Sequence, residues 1–242
     1  MFEIFDQVGR KVTLENYPPK RIISLVPSQT ELLYDLGLEE EVTGITKFCV
    51  HPQNWFRNKT RVGGTKNVNI QKVKALQPQL ILANKEENVK EQIEALEKIA
   101  PVWVSDVNKL EDAVNMIENI GLLTGKSQKS KVISQNLQNQ FQQPATQSYT
   151  LQTVYFIWRN PYMTVGGDTF ISDMLNRCGL QNVFESNKRY PEVNLEQLKE
   201  SNVQLILLSS EPYPFKENHI KEIQAVLPTV KILLVEDRKS TR

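Results

Sequence analysis

The chain has 242 residues, 40% of them hydrophobic, with Lys+Arg 29 against Asp+Glu 28 and a formal charge of +1. That length fits one large domain or two lobes of roughly 100 residues each, and so even a charge balance leaves no electrostatic footprint for nucleic acid. No stretch reaches the ~20 apolar residues of a membrane span, and Cys49, Cys178, His51 and His219 are too loosely spaced for a structural zinc site.

The opening segment, MFEIFDQVGRKVTLENYPPKRI, is polar and has neither an apolar signal region nor an early lipid-attachment cysteine, which fits a cytoplasmic protein or a processed chain. Phe2, Ile4 and Phe5 predict a small edge hairpin. Residues 21–26 (RIISLV) are an unbroken apolar run and read as a buried strand. After Pro27, Ser28 and Glu31 match the capping box S-x-x-E, which predicts Ser28 as the cap of a helix carrying Leu32, Leu33 and Leu36 and closed by Gly37. A short strand is expected over 42–46. The loop over 47–66 holds Phe48, Cys49, His51, Pro52, Trp55, Gly63 and Gly64, too many aromatic and turn residues for a mere linker.

Residues 69–86 (NIQKVKALQPQLILANKE) return at 194–211 (NLEQLKESNVQLILLSSE). At a constant offset of 125, Asn69/Asn194, Lys74/Lys199, Gln79/Gln204, Leu80/Leu205, Ile81/Ile206, Leu82/Leu207 and Glu86/Glu211 are identical. Each copy reads as a short helix feeding a buried strand, and a doubled α/β unit predicts two lobes with a ligand cleft between them. Between the copies the pattern predicts a helix over 88–99 and a strand over 102–104. An amphipathic helix over 109–124 has Leu110, Val114, Ile117 and Gly121 at helical spacing. Residues 127–143 are polar and glutamine-rich, with Val132, Leu137 and Phe141 as their few apolar contacts. A helix there would be about 25 Å long and suits a solvated connector between lobes.

The second half restarts the scheme: a strand over 153–158 and a loop over 159–164. Gly166, Gly167 and Asp168 are then expected to cap a helix with Phe170, Ile171, Met174, Leu175 and Cys178, which Gly179 closes. A loop over 182–193 ends at Tyr190 and Pro191, and Asn194 with Gln197 forms a second capping arrangement. A helix over 217–226 and a strand over 230–235 come last, and the charged ending stands where a further helix is expected. The fold class is α/β: an N-terminal lobe over 1–108, a helical segment over 109–145 with the inter-lobe helix, and a C-terminal lobe over 146–242, each lobe with a mostly parallel sheet flanked by helices.

For chemistry, Cys49 and His51 stand two apart, where an extended chain would point both the same way, but no oxyanion-hole motif or third orienting group accompanies them. The Gly63/Gly64 and Gly166/Gly167 pairs match neither G-x-G-x-x-G nor a P-loop. The two cysteines lie in different halves and are expected to be free. His219 sits in a polar stretch and reads as solvated. The aromatics Phe48, Trp55, Trp158, Tyr162, Tyr190 and Tyr213 fall at strand ends or in the following loops, where open α/β sheets place ligands. Trp55 and Tyr213 read as core plugs; the others suit the walls of a site for a large, flat, mostly apolar ligand with polar edges.

Four segments carry a family resemblance: RIISLVPSQTELLYDLGL; the His51–Pro52 loop followed by VGGTKNVNIQKVKALQPQLILA; VYFIWRNPYMTVGGDTFISDMLNRCGLQNVF; and YPEVNLEQLKESNVQLILLS. Over residues 20–235 the chain resembles the substrate-binding proteins of ABC importers for cobalamin, haem and iron–siderophores, and most closely their cobalamin branch. The resemblance implies a non-enzymatic, monomeric periplasmic or cell-surface protein that takes a corrinoid as ligand, not as cofactor. Its partners would be a permease with its ATPase. Family ligand positions fall on Phe48, His51, Gly64, Thr65 and Lys66 in one lobe and on Trp158, Arg159, Tyr162 and Tyr190 in the other. Phe48, Trp158 and Tyr190 would pack on the macrocycle, and Thr65, Lys66 and Arg159 would meet its polar periphery. No metal ligand set is implied, beyond a conceivable axial contact from His51. The family docks on its permease through one acidic residue per lobe; these positions fall on Glu196, which fits, and Gln71, which departs and would either weaken docking or hand the role to Glu86 or Glu87. The alternatives are a haem or iron–siderophore binder, and a cytoplasmic α/β enzyme or metallochaperone using Cys49 and His51.

Overall fold

The computed structural model describes residues 1–142 and 151–236. The chain divides into two compact units: Met1–Val107 with Glu111–Gln140, and Asn108–Leu110 with the chain from Phe141 onward.

Unit 1 opens with an antiparallel hairpin, β1 (Phe2–Phe5) and β2 (Lys11–Leu14), at the place expected. There follow β3 (Ile22–Ser24), α1 (Pro27–Asp35), β4 (Val42–Ile45), α2 (Gln53–Asn58), β5 (Thr60–Arg61), α3 (Ile70–Ala75), β6 (Leu80–Asn84), α4 (Lys90–Glu97), β7 (Val102–Ser105), α5 (Leu110–Leu123) and α6 (Ser127–Phe141). The sheet runs β5-β4-β3-β6-β7 with every pairing parallel. Parallel neighbours need crossover connections, and helices on both faces explain why these strands read as continuous apolar runs. Successive residues serve opposite layers. Ile22, Leu80, Leu82 and Trp103 pack with α1 and α5, while Ile23, Ile81, Ala83, Val102 and Val104 pack with α3 and α4. The α6 helix lies on unit 1, where Ile133 and Leu137 pack on the first of these cores.

Unit 2 comprises β8 (Leu151–Phe156), β9 (Tyr162–Met163), α7 (Phe170–Arg177), β10 (Leu180–Asn182), β11 (Glu192–Val193), α8 (Leu195–Leu198), β12 (Leu205–Ser209), α9 (Glu217–Val226) and β13 (Lys231–Val235). Its sheet runs β10-β8-β12-β13, again all parallel, and β9 pairs antiparallel with β11.

The two sheets share one plan. Leaving aside the two-residue β5 at the outer edge of the first sheet, in each the first strand lies between the second and third, and the fourth is at the edge beyond the third. The repeated residues do equal work. Leu205 and Leu207 face the α7 layer and Ile206 and Leu208 the α8–α9 layer, as Leu80, Leu82, Ile81 and Ala83 do in unit 1. Gln79 Oε1 accepts from the N–H of Lys20 at 2.6 Å, and Gln204 Oε1 accepts from the N–H of Gln152 at 3.0 Å. Each glutamine thus ties the start of its own strand to the start of its neighbour.

Helix starts show two departures from expectation. Ser28 is not the cap of α1: Val26 holds the extended N-cap position, no side chain caps it, and Pro27 supplies a pre-set helical φ at the first position. At α7 the cap is Thr169, one residue past Asp168, whose Oδ1 instead accepts from the Arg189 N–H at 2.5 Å. The Asn194–Gln197 box does form at α8. Gly37 and Gly179 close α1 and α7 with φ of 75° and 74°, a left-handed conformation that favours glycine.

Candidate functional site

In unit 1 the candidate residues stand on two loops that lean on each other. Past the end of β4, the Lys47 N–H donates to the Gly63 carbonyl at 2.8 Å, which brings the Phe48 segment beside the turn over 64–67. That turn is closed by the Gly64 N–H donating to the Asn67 carbonyl at 2.9 Å. Gly64 leaves the space that the Phe48 ring occupies: a Cβ there would lie 3.2 Å from Phe48 Cε2 and 3.3 Å from Lys47 Cε. The Lys47 ammonium sits 5.0 Å from the Phe48 ring centroid. Propped on one face, Phe48 remains 51% exposed. Thr65 is buried, and its carbonyl accepts from Asn88 Nδ2 at 3.0 Å. Lys66 is exposed; its Nζ donates to the Glu86 carbonyl, and its own carbonyl accepts from Gln92 Nε2 at 2.9 Å. His51 is half-buried and precedes Pro52, the N-cap of α2.

The α2 helix lies inside what the sequence presents as loop. Trp55 fixes it, fully buried and edge-on to Tyr34 at 5.4 Å, so the core-plug reading of Trp55 holds.

In unit 2 the chain leaves β8 and turns back through the 158–163 hairpin, where the Met163 N–H donates to the Trp158 carbonyl at 3.1 Å. Trp158 stands 40% exposed, braced edge-on by Tyr213 at 5.7 Å. Tyr213 itself packs on Phe215 at 4.8 Å. Arg159 donates through Nη2 to both oxygens of Glu222 on α9, at 2.9 and 2.7 Å, and the Tyr162 hydroxyl donates to the same carboxylate at 3.1 Å. Those bonds, Arg159 first, hold the Glu222 carboxyl below its ordinary range, while burial pushes the Tyr162 phenol up. Tyr190 is half-buried against the α7-side core, with the Arg189 guanidinium 5.4 Å from its ring centroid.

The structure thus gathers Phe48, Gly64, Thr65 and Lys66 within unit 1, with His51 on the same loop as Phe48, and joins Arg159 to Tyr162 within unit 2. Glu222 carries no sequence signal, since its partner lies 63 positions away. Lys47 could have been seen, because a cation next to an exposed aromatic is a common pairing.

One sequence alternative loses its support, and one reading is corrected. The Cys49 thiol is fully buried and hydrogen-bonded to the hydroxyls of Thr30 at 3.1 Å and Thr46 at 3.2 Å. Burial pushes its pKa up, and among the described residues no hydrogen bond joins it to His51, so this thiol lacks the lowered pKa and the access of a reactive cysteine. His219 is not solvated: it is 7% exposed, its Nδ1 accepts from the Lys216 N–H at 2.9 Å, and its ring stands edge-on to Phe215. The polar run ENHIKE around it masks one helical face that turns inward. Both cysteines are free thiols, as expected.

Gln71 and Glu196 are each the second residue of a helix capped by asparagine, Asn69 for α3 and Asn194 for α8. Both are exposed; Glu196 Oε2 meets Lys199 Nζ at 2.5 Å. Among the described residues no group of three His, Cys, Asp or Glu side chains is placed to hold a metal ion, and no helix is long and apolar enough to cross a membrane.

Comparison with known proteins places this geometry. The model of the periplasmic binding protein family matches residues 22–231. The vitamin B12-binding protein of Vibrio parahaemolyticus is 27% identical over 192 residues, 77% of this chain and 70% of that protein. An uncharacterized ABC transporter substrate-binding lipoprotein of Bacillus subtilis, YvrC, is 28% identical over 216 residues, 84% of this chain and 68% of its own. Among solved structures, the periplasmic heme-binding protein HutB of Vibrio cholerae superposes with a TM-score of 0.77 at 17% identity, covering 89% of each chain. With the shared sheet plan and a family match across nearly the whole chain, the protein belongs to the periplasmic binding protein family.

Proposed function

We propose that this chain captures a corrinoid such as cobalamin and delivers it to the permease of an ABC importer, outside the cytoplasmic membrane. The observation that carries the reading is a pair of large aromatic rings held open to solvent, Phe48 at 51% and Trp158 at 40% exposure. Each is braced from behind, Phe48 by Gly64 and Lys47, Trp158 by Tyr213. Rings fixed in this way lose little freedom on binding and suit a broad apolar macrocycle. Tyr190 would add a third ring. Thr65, Lys66, Tyr162 and Arg159 would meet polar groups at the ligand's periphery. Glu196 and Gln71 mark the surfaces offered to the permease. The vitamin B12-binding relative and the substrate-binding lipoprotein support the corrinoid and the importer respectively.

Tryptophan fluorescence tests the ligand. Of the three tryptophans, Trp55 and Trp103 are fully buried and Trp158 is exposed. Micromolar cobalamin is expected to quench emission saturably, and Trp158→Phe to remove most of that change. No binding by calorimetry at micromolar ligand sinks the corrinoid reading. Haem is the second reading, favoured by the fold match to HutB. It requires an axial protein group, so a shifted Soret band that disappears in His51→Ala would select it.

A further inference from the structure

The strongest unexplained feature of the surface is a run of cations in unit 1 with no ion-pair partner among the described residues. Residues 42–85 contain no Asp or Glu, although the whole chain is charge-balanced. Arg61, Lys66, Lys72 and Lys47 are exposed, and among the described residues none of the four forms an ion pair.

The fold gathers them on one ridge. The backbone over 61–64 is its spine: Val62 N–H donates to the Ile45 carbonyl at 2.9 Å, and the Val62 carbonyl accepts from the Asn69 N–H at 2.7 Å. Lys47 is tied to Gly63 from one side. From the other, Lys72 on α3 reaches the Arg61 carbonyl with its Nζ at 3.5 Å. Arg61 is itself held over the Phe56 ring, 5.1 Å from its centroid. Like charges this close sum to a positive potential that water and salt screen only over ~8–10 Å.

The repeat supplies an internal comparison. Residues 61–75 carry four basic and no acidic side chains, whereas the equivalent 186–200 carry three of each. The two units therefore differ by four charges over the same structural segment. Gln71 sits in the middle of the positive one, next to Lys72, so an arginine on a partner would be repelled there.

We propose that unit 1 docks through the Arg61–Lys72 ridge onto an acidic surface of the permease, opposite in sign to the contact that Glu196 offers from unit 2. This rests on the importer reading above. The test uses the full chain, loaded with cobalamin, and the permease–ATPase complex of its source organism's corrinoid importer, held in nanodiscs of neutral lipid. Binding is expected to weaken with salt, and Lys72→Glu is expected to weaken it by about tenfold while leaving cobalamin affinity unchanged. Gln71→Glu is expected to weaken docking as well. Lys72→Gln, with a smaller loss, controls for local misfolding of α3. Docking that tightens or stays unchanged in Lys72→Glu overturns the ridge alone. Docking that is absent in the unaltered chain overturns the ridge together with the importer reading. Binding to phosphatidylglycerol vesicles as tight as to the nanodiscs, and lost in Lys72→Glu, overturns it in favour of a lipid partner.

Discussion

Gly64 and His219 illustrate how single positions set the two candidate surfaces. Without a side chain at 64, the Phe48 ring comes close to the backbone there while staying half exposed; a Cβ, 3.2 Å from its Cε2, would push the ring outward. His219 works from below. It braces the Phe215–Tyr213 stack that in turn supports Trp158. Burial, helped by the positive charge of Arg159, lowers the His219 pKa from its ordinary 6.5. The unfolded chain then binds this proton more readily than the folded one. The contribution to stability is complete above about pH 6.5 and is lost as pH falls through 6.5 toward the lower folded value. Urea unfolding at pH values on either side of this window is expected to show the loss in the unaltered chain. The loss shrinks in His219→Gln, which keeps an acceptor for the Lys216 N–H but cannot titrate; the difference has a ceiling of about 1.4 kcal/mol per pH unit. The solvated reading of His219 fails, and the burial of Cys49 carries no sequence signal, for the same reason. Exposure is a property of what packs over a residue, and neither Thr46 nor Phe215 announces which way it faces.

At the level of elements, α5 and α6 approach more closely than side chains allow. A Cβ on Gly121 would lie 1.9 Å from Ser130 Oγ and 2.3 Å from Ser130 Cβ. Gly121→Ala is therefore expected to cost about 1–3 kcal/mol in chemical denaturation, despite the better helix propensity of alanine. A neutral or stabilising result would mean that the helices can move apart freely. The periodicity of α5 and the polar pattern of α6 were legible in the sequence; their contact was not, because it depends on two small residues nine positions apart across a turn. Local signals fared according to their range. Asn194 with Gln197 states a cap within four residues, and it forms. Ser28 with Glu31 makes the same statement but loses to Pro27, which starts α1 earlier. The six-residue α2 has too few turns for a periodicity to show, and only the burial of Trp55 gives it a place.

Across the whole molecule, the fold was the most legible property because it is written twice, and the candidate site the least, because each half depends on long-range partners such as Glu222 for Arg159. The doubled glutamine has a use of its own. Gln79 and Gln204 make corresponding bonds to a neighbouring strand, with Gln79 Oε1 also accepting from the Arg21 N–H at 3.2 Å, so one substitution can be installed at two addresses. Gln79→Ala and Gln204→Ala are each expected to remove about 0.5–1.5 kcal/mol, measured by hydrogen exchange on the strands they bind. With the substitution held constant, a disparity larger than the extra Arg21 bond accounts for belongs to the surroundings. The molecule thus contains its own reference gauge, and the pair of variants would read whether its halves open as separate cooperative units or as one.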